Sequence, residues 1–270
     1  MKRQFPNFYV NPFTVIYIAI ALILGRFYFL FIHLFVALIH ELFHVLPALL
    51  FKMKVKEIEM LPFGFYASIS DLEEHHPLKQ IVVLLLGPLS IFISLIILKS
   101  LYVFDIISIY GYNHGVEASI SILIFNLLPI YPLDGNRIIN AILSLICEES
   151  ITKIICIVIS SICSILMSIY LFKQSQIIIT VFLLINGVKY ILNSYQNYRN
   201  FLLIRAFDNN KRKVKISLKP RIYRHYDNYC FIENRLINES EIIKLKMNKI
   251  LKFKNWWWFK NNFYRIKAQK

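Results

Sequence analysis

The sequence predicts an all-α polytopic membrane protein: six transmembrane helices, a short membrane-associated β-hairpin and a small, basic, cytoplasmic C-terminal α+β region. Three observations lead there. Of 270 residues, 57% are hydrophobic and only 17% charged, and the mean hydropathy is +0.54, outside the range of an ordinary soluble domain. The apolar residues fall in runs that meet or approach the ~20 residues a helix needs to cross a ~30 Å hydrocarbon layer at about 1.5 Å per residue. The formal charge of +15 is also concentrated: residues 194–270 hold 19 Lys and Arg against 5 Asp and Glu, or +14 of the total. A uniformly basic nucleic-acid binder is excluded, as is intrinsic disorder of the body. The chain divides into a membrane domain, residues 1–193, and a basic tail, residues 194–270.

The six predicted spans cover residues 9–24, 27–50, 80–98, 118–130, 154–172 and 177–193. The first follows Met1-Lys2-Arg3 but lacks a small-residue cleavage site, so it reads as a retained span. The fourth is short and ends among prolines. The fifth and sixth are separated by Lys173-Gln174-Ser175-Gln176, a length that suits a tight helical hairpin. An even number of spans puts both termini on one side, and Lys and Arg are retained in the cytoplasm. With the termini inside, only Arg26, Lys99 and Lys173 of the 31 basic residues face out. Residues 55–70 alternate around Pro62-Phe63-Gly64 and read as a β-hairpin. Residues 101–110 and 137–146 read as short interfacial helices. Cys147, Cys156, Cys163 and Cys230 show no CxxC spacing, so neither disulfides nor a cysteine zinc site is expected.

Inside the second span lies His40-Glu41-Leu42-Phe43-His44, an HExxH motif. Residues i and i+4 share a helix face, so both imidazoles can bind one metal while the intervening carboxylate reaches its water. Three ionisable groups within one apolar turn are costly unless paired, and a metal satisfies all three. The bland alternative is a satisfied polar cluster between helices. Catalytic zinc takes three protein ligands, so one more must come from elsewhere. Asp134 is the best candidate. It ends Leu127-Leu128-Pro129-Ile130-Tyr131-Pro132-Leu133-Asp134-Gly135, and the predicted topology puts it in the same cytoplasmic half as the two histidines. Asp134 also reads as the N-cap of a helix beginning near Asn136. His33 is two turns from His40 and reads as a packed or indirectly acting residue, while His75, His76 and His114 read as solvated.

These residues resemble the site-2 intramembrane metalloproteases, peptidase family M50. HELFH matches the family's first motif and PLDG its second, and Leu86-Gly87-Pro88-Leu89 is similar to its Gly-Pro segment. The run LLPIYPLDG, with Leu61-Pro62-Phe63-Gly64 and the six-span layout, is similar to the sporulation branch, which includes the protease that matures the precursor of the mother-cell sigma factor K. The resemblance covers about residues 9–195. It implies one Zn2+ per chain on His40, His44 and Asp134, Glu41 as the base that activates water, and Asn126 and Pro132 as substrate-positioning residues. Phe43 replaces the family's usual Gly, which bears on substrate preference rather than on the metal. The implied partners are the lipid bilayer, a membrane-associated protein substrate (pro-sigma-K in the sporulation role) and inhibitory membrane proteins. The implied location is the membrane around the forespore, on the mother-cell side.

A substrate helix must unwind before its carbonyls can be attacked, and the edge of the 55–70 hairpin offers a strand to hold it extended. The branch also carries a C-terminal CBS-type module that senses ATP. Residues 229–247 read as strand, turn, strand and helix from the end of such a module, but 77 residues cannot hold a complete pair, so ATP is not carried over. Trp256-Trp257-Trp258 among lysines favours an anionic membrane surface over nucleic acid. Two competing readings are a general site-2 protease acting on an anti-sigma factor or remnant signal peptide, and a non-catalytic metal-binding transporter or scaffold.

Overall fold

The computed structural model describes residues 7–61, 64–174, 176–207, 212–232 and 235–252. The chain forms two compact units, one of Met1–Leu145 with Val158–Gly187, the other of Ile146–Ile157 with Val188–Lys270.

The first unit begins with a strand that sequence reasoning missed. Strand β1 (Asn7–Val10) runs into helix α1 (Pro12–Ile23), and Asn11 divides them. Its side chain accepts a hydrogen bond from the Phe13 N–H at 3.0 Å, and Pro12 takes the first helical position, where a missing N–H costs little. The expected span over residues 9–24 is therefore a helix of 12 residues, about 18 Å long. β1 pairs in parallel with β2 (Val55–Leu61), from Asn7 opposite Glu57 to Val10 opposite Met60. Polar side chains fix this pairing: Asn11 Nδ2 donates to Glu59 at 2.8 Å and the Thr14 hydroxyl to the Met60 carbonyl at 2.8 Å. The expected hairpin is present, with β2 antiparallel to β3 (Gly64–Ile69), and the strand order β1-β2-β3 leaves β3 as an outer strand. Pro62 and Phe63 lie outside the described residues.

Helix α2 (Phe27–Leu50) follows α1 in the sequence and carries the HExxH motif. After the hairpin come α3 (Pro77–Leu89), α4 (Ile91–Val103), α5 (Ile109–Leu127), α6 (Asp134–Ile146), α7 (Glu149–Lys173) and α8 (Ile177–Ala206). Among the described residues three helical stretches are long and apolar enough to cross a bilayer: Phe27–Leu50, Pro77–Val103 and Glu149–Lys173. The expected helix at 137–146 is present as α6. Residues 101–110 form no helix of their own; they hold the end of α4, a turn and the start of α5, because the Ser108 side chain caps α5 by accepting from the Gly111 N–H at 3.2 Å. α5 consequently extends nine residues further N-terminally than the span expected at 118–130.

Of the three histidines expected in solvated loops, His76 is exposed as expected, His75 is half-buried, and His114 is not in a loop but half-buried within α5. His76 caps α3 by accepting from the Leu78 N–H, His75 lies 3.4 Å from Asp71, and His114 meets the Phe29 carbonyl at 3.2 Å. The hairpin closes over an apolar cluster of Val45, Ala48, Met53, Ala67, Val83, Leu84 and Ile138, tying α2, α3 and α6 to the sheet. A second cluster, Ile130, Leu133, Leu171 and Leu183, packs the loop before α6 against α7 and α8.

The second unit contains the expected two strands and helix, β5 (Tyr226–Ile232), β6 (Arg235–Ile237) and α9 (Glu239–Lys252), with β4 (Lys213–Ser217) parallel to β5; the expected turn lies outside the described residues. Leu202, Ile222, Cys230, Ile242, Ile243 and Met247 form its core. Glu149, 1% exposed, takes both arms of the Arg224 guanidinium, one at 2.8 Å, and lies 3.7 Å from Lys153. Arg205 pairs with Glu239, whose other oxygen accepts from Asn228. Trp256, Trp257 and Trp258 lie outside the described residues.

Removing one member of a buried ion pair strands the other charge. Glu149→Ala should lower the stability of the second unit by roughly 3 kcal/mol, seen as faster limited proteolysis of residues 188–252.

Candidate metal centre

The centre is built on α2, where a spacing of four turns both imidazoles to one side of the helix. His40 Nε2 and His44 Nε2 are 3.3 Å apart. Asp134 Oδ2 closes the triangle, 2.9 Å from His44 Nε2 and 3.3 Å from His40 Nε2. All three residues are buried. Nitrogen or oxygen ligands at 2.0–2.2 Å from a tetrahedral zinc lie about 3.3 Å from one another. Two of the observed edges equal that value and the third, at 2.9 Å, is slightly shorter, so the donor set fits a zinc ion with one position left over.

The carboxylate of Asp134 is directed by the segment before it. Two prolines end the helical run of α5, and Gly135 sits so close to the end of that helix that a Cβ would collide with the Leu127 and Leu128 carbonyl oxygens. The Tyr131 N–H donates to the Ser160 hydroxyl at 2.8 Å, fastening the segment to α7. Asp134 opens α6, as the N-cap alternative required of its position, but its Oδ2 faces the two imidazoles. Its other oxygen lies 3.9 Å from Arg137 Nη1, a partly exposed pair of modest strength.

Glu41 occupies a different place. One of its carboxylate oxygens lies within 4.8 Å of a nitrogen of each imidazole, and Oε1 accepts the Ala67 N–H of β3 at 2.6 Å. Chemically the three closer atoms suit ligation, and Glu41, held by the strand, suits proton transfer to and from a water beside them. The distances to Asp134, tighter than 4.8 Å, favour it over Glu41 as the third ligand.

Two elements of the centre were not legible as single residues. His44 Nδ1 donates to the Val83 carbonyl of α3 at 2.8 Å, which leaves Nε2 unprotonated for a metal. Gly87 makes this approach possible, because any Cβ there would fall on the His44 ring. Val83 and Ala67 act through the main chain, so no side-chain pattern marks them; Gly87 was visible in the Gly-Pro segment, without its role. Of the remaining expected residues, Asn126 donates to the Ile122 carbonyl in its own helix at 3.1 Å, and Pro132 is half-buried in the segment before Asp134. The bond recorded for Asn126 lies within its own helix and not at the cluster. His33 and Phe43 are half-buried on α2, and His33 is outside the cluster.

This fold, a bundle of apolar helices with a sheet over an HExxH helix, is shared with a solved site-2 protease. The chain matches the solved site-2 protease of Methanocaldococcus jannaschii with a TM-score of 0.52 at 24% identity, over 69% of this chain and 92% of that one. It is 34% identical over 139 residues to stage IV sporulation protein FB of Bacillus subtilis, which covers 50% of this chain and 47% of that protein. It is 38% identical over 119 residues to a zinc metalloprotease of Methanocaldococcus jannaschii, 43% of this chain and 34% of that protein. The chain thus spans about half the length of the first relative and about a third of the second. No family model matches it. The resemblance to the site-2 proteases, read from HELFH and PLDG, and to their sporulation branch, read from LLPIYPLDG and Leu61-Pro62-Phe63-Gly64, agrees with these relatives.

The first α-carbon substituent at position 87 displaces a ligand, so Gly87→Ala should weaken zinc binding at least tenfold. Gly187→Ala, which meets only ordinary contacts at 3.4 Å from Ser164, should leave it unchanged. Chelator competition on the purified proteins reads both.

Proposed function

We propose that the protein is an intramembrane zinc metalloendopeptidase that cleaves a membrane-associated protein near the cytoplasmic face. The observation that carries this reading is the triangle of His40, His44 and Asp134 with Glu41 beside it, on a helix long and apolar enough to span a bilayer. Zinc on those three residues would acidify a water and polarise the scissile carbonyl. The remaining chemistry belongs to the chain. Glu41 accepts the proton of the attacking water and returns it to the leaving amine, and the Ala67 N–H holds its carboxylate in place between the two events. Asn126 and Pro132, flanking the turn into Asp134, are proposed to position the substrate. One zinc per chain follows from a single HExxH.

Substrate presentation uses the sheet. β3 is an outer strand, and the Ala67 N–H points away from β2 to the Glu41 carboxylate, so the outer edge of β3 faces the base. A peptide added to that edge is extended, its carbonyls released from helical bonding and brought beside the centre. This favours an endopeptidase over a transporter or scaffold, for which neither a general base nor an outer strand beside it is needed.

The six-span topology with both termini cytoplasmic rests on the distribution of Lys and Arg. The similarity to stage IV sporulation protein FB supports a sporulation role. In that role the substrate is pro-sigma-K, the enzyme resides in the membrane around the forespore on the mother-cell side, and inhibitory membrane proteins hold it silent. Residues 1–193 form the protease domain and 194–270 a cytoplasmic region in this reading. A general site-2 protease acting on another membrane protein keeps the same centre and differs only in substrate.

Co-expression with tagged pro-sigma-K tests both levels. Glu41→Gln and Asp134→Asn should each abolish cleavage with normal membrane insertion, Glu41→Gln by several powers of ten with zinc retained. Cleavage that survives Glu41→Gln overturns the mechanism, and an inert wild type overturns the substrate. A second variant isolates the strand edge. In the alternating ladder the Phe65 N–H points the same way as that of Ala67, so Phe65→Pro removes an edge donor while sparing the β2 pairing. Cleavage should fall at least tenfold with zinc content unchanged.

A further inference from the structure

His44 has its second ring nitrogen fixed by Val83, but the bonds made by His40 among the described residues all use Nε2. A metal-binding imidazole nearly always donates its other N–H to an acceptor, which fixes the tautomer and the ring's orientation. No carbonyl or carboxylate among the described residues does this for His40.

What His40 adjoins instead is a small space between α2, α3, α4 and α5. A cavity of about 10 Å³ is lined by Val36, His40, Pro88, Ser94, Ser119 and Ile122, among others. That volume is at the lower end of what one water requires. The lining is polar where an apolar lining would be expected of membrane helices. Ser94, 1% exposed, has a buried hydroxyl with no hydrogen-bond partner among the described residues. Ser119 is equally buried; its hydroxyl donates to the Gly115 carbonyl at 2.8 Å and keeps its lone pairs for a second partner. An unsatisfied buried hydroxyl costs about 1–3 kcal/mol, and a single water can remove that cost here. Such a water would accept from His40 Nδ1–H, donate to Ser119 Oγ and exchange a third bond with Ser94, three partners of the kind buried waters find.

We propose that this cavity is a water site and that Ser94, acting through the water, is a positioning residue for the metal ligand His40. The inference rests on the metalloprotease reading of the same centre. In it the two histidines are oriented by different means, His44 by a main-chain carbonyl of α3 and His40 by a serine-held water between α4 and α5. The water holds the ring from behind and is not the one consumed in hydrolysis.

The test uses the full chain purified in detergent, with zinc affinity read by chelator competition and the ligand field by the visible spectrum of the cobalt-substituted protein. Ser94→Ala should weaken zinc about tenfold and shift the cobalt bands. Ser100→Ala, an exposed position on the same helix, should do neither. A wild type that holds zinc and a Ser94→Ala that matches it in both readouts overturns the water site and leaves the protease reading intact. A wild type that holds no zinc overturns both. Should Ser94→Ala fail to fold, wild-type protein labelled at the histidine ring nitrogens decides: a cross-peak between His40 Nδ1–H and water is expected, and its absence overturns the proposal.

Discussion

Two imidazoles and a carboxylate removed from water within a few ångströms of each other cost several kcal/mol apiece unless each finds a partner. In this chain the cost is met by convergence. His40 and His44 come from one helix, Asp134 from a turn ninety residues later, and their ligating atoms meet within 3.3 Å. Much of the first unit can be read as what that meeting requires. The prolines stop α5 so that the chain can turn, Gly135 lets the turn press against the end of α5, and Ser160 fastens it to α7. Gly87 lets α3 lie against the His44 ring so that the Val83 carbonyl can reach Nδ1. A side chain at either glycine pushes a ligand out of the triangle.

The hairpin is the second consequence. In the proposed mechanism the general base must be close to the metal without joining its ligands, and an unattached glutamate between two histidines would be free to swing inward. The Ala67 N–H prevents this by taking Oε1 at 2.6 Å. The same strand is the sheet's outer member, so in the proposed mechanism the device that restrains the base also marks where an extended peptide would be added. The apolar underside of the hairpin, packed on Val45, Ala48 and Val83, keeps this strand in register with α2.

How much of this was legible in the sequence depends on whether the information lies in side chains or in the backbone. HExxH inside an apolar run, PLDG after a proline-broken helix and the alternating pattern of residues 55–70 are side-chain signals, and the structure brings the corresponding residues together. The Val83 carbonyl and the Ala67 amide carry no such mark. β1 was missed because a four-residue strand, NFYV, merges with the apolar run of α1; the separating signal was Asn11-Pro12, a cap and a first-turn proline. Residues 101–110 were misread because the apolar pattern is continuous there while the capping serine at 108 moves the start of α5 into it. His114 was taken for a solvated loop residue for the same reason: the start of α5 at 109 puts it inside the helix, where it meets the Phe29 carbonyl, a neighbour distant in sequence.

The claim on which the rest depends is that a residue outside the HExxH helix completes a three-ligand centre. X-ray absorption at the zinc edge of the purified, detergent-solubilised chain tests it directly. The account predicts a shell of two imidazole nitrogens and oxygen ligands at about 2.0–2.2 Å, losing one oxygen ligand in Asp134→Ala. A shell containing sulfur at about 2.3 Å, a spectrum unchanged by Asp134→Ala, or a protein that retains no zinc would contradict it.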